Sequence, residues 1–141
     1  MMIEPFKIAD IDEIATIWLE TNIQAHAFIP AIYWEAQYPF VKEALKNAVV
    51  FIYRHPPHIQ GFIGLIDNHI AGLFVSTNYQ SQGIGTCLLE YTKKLHPVLT
   101  LDCYADNTKT LSFYQKHGFR ITEEKIDADT RKQEYHMVWE K

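Results

Sequence analysis

The sequence predicts one α/β domain: a mixed, mostly antiparallel sheet with a single parallel β-α-β crossover, flanked by four helices. Three observations predict it. Short runs rich in β-branched and aromatic residues recur, separated by tight turns such as Asp67-Asn68. Two helical periodicities precede the longer strands. One strand, His69 to Val75, leads through a loop with two glycines into an amphipathic helix and then another strand. That order is a crossover, which is right-handed and joins parallel neighbours.

Each element has its own warrant. Ile3 to Lys7 is a short strand. Asp10 with Glu13 three residues on reads as a capping box, and Ile11, Ile14, Ala15, Trp18 and Leu19 follow at helical spacing, giving a helix to about Asn22. A second helix is expected from about Ala31 to Lys46, bent or interrupted at Pro39. Val49 to Tyr53 is a strand, His55-Pro56-Pro57-His58 a turn, and Ile59 to Ile66 and His69 to Val75 the next two strands. The crossover helix continues to about His96, just before Pro97. Val98 to Tyr104 is a strand, and Asn107 to Lys116 a short helix stopped by His117-Gly118, with glycine in the usual place after a helix end. Arg120 to Ile126 and Glu134 to Trp139 form a final strand pair. The order is β, α, α, β, β, β, α, β, α, β, β, and a ligand is expected at the carboxyl end of the strand before the crossover.

Composition narrows the function classes. The 141 residues suit one domain spanning 1–141 and hardly two. At 48% hydrophobic and 21% charged the chain is globular rather than disordered. The net charge is −4 and the 13 Lys and Arg are scattered, which argues against nucleic acid as a partner and mildly favours cationic ones. Cys87 and Cys103 fit no zinc or redox spacing and sit in apolar runs, so both are expected to be buried free thiols, and no metal site is expected. No apolar stretch approaches a membrane span, and Met1-Met2-Ile3-Glu4-Pro5-Phe6 lacks the pattern of a signal peptide. The expectation is a cytoplasmic protein with no membrane partner.

The loop after the third long strand carries the chemistry. The first amides of a helix lack intrahelical partners, and the aligned peptide dipoles leave about half a positive charge there. Gly83 and Gly85 lack a Cβ, so a phosphate can come close to the backbone. A Walker loop is excluded because no Gly-Lys pair exists, and a dinucleotide fingerprint because Leu88 stands where the third glycine belongs. What remains is Gln-x-x-Gly-x-Gly, Gln80 to Gly85. It resembles the motif with which the GCN5-related N-acetyltransferases (GNAT family) bind the pyrophosphate of acetyl-CoA. A second stretch is similar to a later family motif: Asp106-Asn107, then Leu111-Ser112-Phe113-Tyr114-Gln115-Lys116-His117-Gly118-Phe119. Trp18-Leu19-Glu20, His26-Ala27-Phe28-Ile29 and Tyr33-Trp34 look like small single-domain bacterial members of the YiaC and YjaB type.

The resemblance implies an enzyme that moves an acetyl group from acetyl-CoA, as acyl-donor cosubstrate, to a primary amine by direct attack. It implies that the backbone of Phe74 and Val75 pairs with the pantetheine arm, that Gln82, Gly83, Ile84, Gly85 and Thr86 cradle the pyrophosphate, that Gln80 fixes the loop or reaches a phosphate, and that Asn107 bonds the pantetheine or the motif itself. Tyr114 stands at the family's general-acid position, where its phenol protonates the departing thiolate. A lysine acceptor is neutral only to about one part in 10³ at pH 7, and removing its proton costs roughly 4.6 kcal/mol, so a base is useful. Family members that carry a glutamate on the strand before the loop have no counterpart in His69 to Val75. His26, between the first two helices, is the expected base, with Glu20, Asn22 and Trp34 lining the acceptor pocket. The acceptor is a small-molecule amine, a protein lysine or a protein N-terminus, and the protein is a monomer or a homodimer. The competing reading is a non-catalytic acyl-CoA-binding sensor, which would keep Gln80 to Thr86 without needing Tyr114.

Overall fold

The computed structural model describes residues 3–141. Met1 and Met2, the first residues of the segment read for a signal peptide, lie outside the described residues. The chain forms strand β1 (Ile3–Pro5), helices α1 (Ile11–Ala25) and α2 (Ala31–Leu45), then strands β2 (Val49–His55), β3 (His58–Ile66) and β4 (His69–Val75). Helix α3 (Ile84–Lys93), strand β5 (Val98–Tyr104), helix α4 (Thr108–Lys116) and strands β6 (Arg120–Ile126) and β7 (Gln133–Glu140) complete it. The sheet has seven strands in the order β1-β2-β3-β4-β5-β7-β6, and its only parallel pair among the described residues is β4 with β5.

Both faces of the sheet carry a core. On one, Ile14, Ala15 and Trp18 of α1 pack with Val50, Ile52 and Phe62. On the other, Leu88 and Leu89 of α3 pack with Ile63, Leu65, Leu99, Leu101 and Met137. Burying one such aliphatic side chain contributes roughly 1.5–3 kcal/mol. The strands supply both faces by alternation; Leu99, Leu101 and Cys103 are buried on β5 while the residues between are half-buried.

Several sequence expectations are corrected. Asp10 is not a side-chain cap; it ends a short 3-10 turn, Ile8–Asp10, and its carboxylate accepts from Arg54 at 2.9 Å. Glu13 does not turn back on the helix start but accepts from the Ile59 amide at 2.9 Å, tying α1 to β3. Both carboxylates found partners distant in sequence, which local spacing does not register. Helix α1 runs three residues past Asn22, to Ala25. Pro39 does not interrupt α2, which continues through it to Leu45. Helix α3 ends at Lys93 rather than His96, because the Leu95 amide bonds back to Thr92 and tightens the last turn. Cys103 is buried, but Cys87 is exposed, because the inward stripe of α3 is Ile84, Leu88, Leu89 and Thr92.

Candidate active site

A break in sheet pairing makes the site. Strand β4 pairs with β5 only at His69↔Thr100 and Ile70↔Leu101. On its other edge β4 pairs Gly64↔Gly72 but Leu65↔Ile70, so Ala71 is bulged out. A bulge bends its strand and ends regular pairing. Beyond it β4 and β5 splay apart, and the resulting cleft of about 400 Å³ is lined by Ala71 to Val75 on one side and Asp102 to Tyr104 on the other. The β4 edge facing the cleft lacks a neighbouring strand there, so an extended ligand can pair with it.

The glycine loop stands beside the end of β4. Gln80 donates from Nε2 to the Val75 carbonyl at 3.0 Å, so it fixes the loop to the strand. Gly83 is the residue before α3 and has φ +84°, a conformation that favours glycine. A Cβ there would meet nothing within 4 Å, so the approach to the helix start is open. At Gly85 a Cβ would instead point to the Phe113 ring at 3.5 Å and to Val75. These are ordinary contact distances, so the absent side chain at 85 is not what lets the helix pack. The first α3 bond is Cys87 N–H to the Gly83 carbonyl, which leaves the earlier amides of Ile84, Gly85 and Thr86 at the helix start without intrahelical acceptors. Thr86 Oγ1 lies 3.3 Å from His117 Nε2, and Gln82 is exposed.

Tyr114 is placed by the end of α4. The Phe119 amide bonds to the Tyr114 carbonyl at 3.0 Å and the Gly118 amide to Gln115 at 3.1 Å, with Gly118 at φ +89°. This is a Schellman closure, and its usual apolar contact is present as the Tyr114 and Phe119 rings, 5.4 Å apart. Tyr114 is 6% exposed, lines the cleft, and has no hydrogen-bond partner among the described residues. Burial pushes its phenol pKa upward, so the group is neutral throughout the physiological range.

Across the cleft, Asn107 and His26 are joined. Asn107 accepts from the Thr110 amide through Oδ1 at 3.3 Å, capping α4, which leaves its Nδ2 to donate to His26 Nε2 at 3.0 Å. His26 is therefore protonated on Nδ1, and that nitrogen is buried without a partner. Burial lowers the His26 pKa, against a smaller opposing effect of the Asn22 backbone. Its ring packs on Trp34, Phe28 and Tyr104. The lone pair a base would use is already engaged. Asn22 and Trp34 line the cleft as expected, although Asn22 spends its amide on the Trp18 carbonyl. Glu20 does not line it; the residue is exposed, about 200° around α1 from both Trp18 and Asn22.

Some cleft residues were missed or undecided in the sequence. Glu134 and Tyr104 line it through the β5–β7 pairing Tyr104↔Glu134. Asp102, at the fork, is held by His136 Nδ1 at 2.8 Å and Lys125 at 3.2 Å, with His69 Nε2 at 3.7 Å. Burial raises its pKa, but these partners outweigh that and the net shift is downward. A Cβ at Gly72 would overlap the far end of the Phe74 ring, which would have to turn to admit it.

A splayed parallel pair and a buried phenol share one cleft, and an open helix start follows the strand that borders it, an arrangement suited to an extended, phosphate-bearing ligand. The comparisons with known proteins agree. The model of the acetyltransferase (GNAT) domain matches residues 46–121. The chain is 31% identical over 140 residues to the peptidyl-lysine N-acetyltransferase YiaC of Escherichia coli (strain K12), covering 98% of this chain and 96% of that protein. The solution structure of apo YjaB from Escherichia coli superposes with a TM-score of 0.87 at 23% identity, covering 97% of this chain and 95% of that one. An acetyltransferase from Bacillus anthracis str. Ames, solved in complex with acetyl coenzyme A, shares the fold at TM-score 0.57 and 20% identity, covering 67% of this chain and 62% of that one. The chain belongs to the GNAT family of acetyltransferases, and it transfers an acetyl group to an amine.

Proposed function

We propose that acetyl-CoA is the donor, that it lies along the cleft between β4 and β5, and that the acceptor is a lysine side chain of a protein. The break in pairing at Ala71 carries this reading, because it leaves a strand edge free next to an open helix start. The amides of Ile84, Gly85 and Thr86, with Gln82 at the rim, suit a pyrophosphate. The open edge at Phe74 and Val75 suits the amide-bearing arm, and Gln80 holds the loop for both. When bound, the donor supplies an activated acetyl group as a thioester. A free amide on the β4 edge aimed at its carbonyl oxygen would contribute about 3–4 kcal/mol to the transition state. Tyr114 gives its proton to the leaving sulfur. His26 and Asn107 serve as positioning residues, with Asn22 and Trp34 in the acceptor wall.

The amine attacks directly. Burial pushes the Cys103 thiol up to about 12, so it holds no thiolate at neutral pH, and Cys87 is not in the cleft lining. The lysine acceptor is supported by the relation to YiaC, which is a peptidyl-lysine N-acetyltransferase. Among the described residues no helix is long and apolar enough to cross a membrane. A cytoplasmic location, the absence of nucleic-acid and membrane partners and of a metal, and a monomeric or homodimeric state belong to the same proposal. The test is release of CoA from acetyl-CoA over a panel of lysine peptides, free N-termini and small amines. Turnover confined to lysine peptides supports the acceptor class. Tight donor binding with no turnover on any acceptor would point to the non-catalytic sensor.

A further inference from the structure

We propose that Glu134, near the start of β7, holds the acceptor's ammonium group and takes its first proton. The inference rests on the acetyltransferase reading of the same cleft. Every other candidate base near the fork is engaged. His26 Nε2 accepts from Asn107 at 3.0 Å, and His69 Nδ1 is 2.7 Å from Thr100 Oγ1. Asp102 is bound by His136 and Lys125. The Tyr104 hydroxyl donates to Asp127 at 2.8 Å. Glu134 lines the cleft and has neither a hydrogen bond nor an ion pair through its carboxylate among the described residues.

Its placement suits the role. Glu134 pairs with Tyr104, whose ring packs on His26 and Phe28, so the carboxylate lies on the sheet face that α1 covers. Tyr114 belongs to the core on the opposite face and lines the same cleft. A proton acceptor for the incoming amine and a proton donor for the leaving sulfur thus approach one cleft from opposite faces. The charges around Glu134 are unbalanced. Burial, Asp127 and Asp102 raise its carboxyl pKa, and Lys125 alone works the other way. Its remaining titratable neighbours, Tyr104, Cys103 and Tyr33, have raised pKa values and stay neutral. An ionised Glu134 is therefore in want of a cation, and an ammonium provides one.

A second observation points to a ligand on this side. Trp34 is 7% exposed and lines the cleft, yet its buried Nε1–H has no partner. The Nδ1–H of His26, whose ring centroid is 5.3 Å from that of Trp34, also has none. Two unpaired donors and an unpaired carboxylate in the lining of one cleft suit an acceptor that carries both an ammonium group and a carbonyl oxygen, as a lysine peptide does.

The protons balance. Glu134 takes one from the ammonium and returns it to water. The neutral nitrogen forms the C–N bond as the C–S bond breaks. The nitrogen's second proton leaves as the amide forms, and the sulfur takes the Tyr114 proton, which the second one replaces through Glu134 and water.

The test uses the full chain, acetyl-CoA and a lysine-containing peptide. Glu134→Gln should lower kcat/KM for the peptide by about 10²-fold at pH 7, the scale of a general base. The deficit should shrink toward pH 10, where solvent deprotonates the amine. Acetyl-CoA affinity should hold, and the peptide should bind severalfold more weakly by calorimetry. Tm at neutral pH should stay or rise, since an ill-placed charge is removed. Glu134→Asp should recover part of the activity. An unchanged kcat/KM, or a loss equal at all pH values, overturns the proposal. A wild type that binds the peptide but never releases CoA would fault the acetyltransferase reading instead, and the calorimetric comparison of wild type with Glu134→Gln would still decide the role of Glu134.

Discussion

Replacing Asn107 by alanine removes two bonds at once, and the structure sets the size of the loss. Asn107 is 8% exposed; its oxygen caps α4 at Thr110, and its amide nitrogen satisfies His26. Losing a side-chain cap costs about 1 kcal/mol. Stranding the largely buried His26 nitrogen costs about 1–3 kcal/mol. The sum is about 2–4 kcal/mol, a shift of roughly 1–2 M in a urea midpoint for an m-value near 2 kcal/mol/M. Asn107→Asp keeps the cap and its carboxylate accepts a proton from His26 once the imidazole changes tautomer, so it should lose less. The two residues should also couple: the loss in Asn107→Ala/His26→Phe should fall short of the summed single losses by about 0.5 kcal/mol or more. Equilibrium urea unfolding of the five proteins measures all of this. A loss below about 0.5 kcal/mol in Asn107→Ala, or full additivity with His26→Phe, would refute the paired arrangement.

Three further predictions concern Tyr114 and pH. Tyr114→Phe should leave stability nearly unchanged, because the hydroxyl has no partner to lose, while turnover falls by an order of magnitude or more and acetyl-CoA still binds; turnover equal to wild type would remove Tyr114 from the reaction. Because its phenol pKa is raised, kcat should show no descending limb from Tyr114 on the alkaline side up to about pH 10, the ordinary phenol value. Burial lowers the pKa values of His26, His69 and His117 below 6.5. A folded state that binds fewer protons than the unfolded one loses stability as pH falls through the unfolded value. Tm should therefore decline from pH 7 toward pH 5, with a further loss below about pH 4 as Asp102 and Asp127, held below their ordinary range, take up protons; a flat profile between pH 7 and 5 would contradict these environments.

The sequence disclosed those parts of the fold that depend on neighbours along the chain. The element order, the loop at Gln80 to Gly85 and the helix stop after Tyr114 are each encoded within about ten residues, and all were legible. Tyr114 was found because Gly118-Phe119 follows it, and the Schellman closure is the physical reason for that spacing. What depends on pairing between distant strands was hidden. The bulge at Ala71 exists only relative to Leu65 and Gly64, and no residue in His69 to Val75 announces it. Glu134 enters the cleft through its register with Tyr104, thirty positions away, and its sequence surroundings suggest only a final strand. Helix phase misled in two places. Glu20 lies close in sequence to cleft residues but on another face of α1, and Cys87 falls off the buried stripe of α3. Asp10 and Glu13 had the spacing of a cap and the function of tertiary ties.

The central claim is that the donor occupies the fork between β4 and β5. Amide hydrogen exchange with and without acetyl-CoA tests it most directly. Bound donor should slow exchange on the open edge of residues 71–75 and at the α3 start, residues 84–86, and leave the outer strand β6 unchanged. Saturating donor that binds yet leaves both segments exchanging as before would contradict the account.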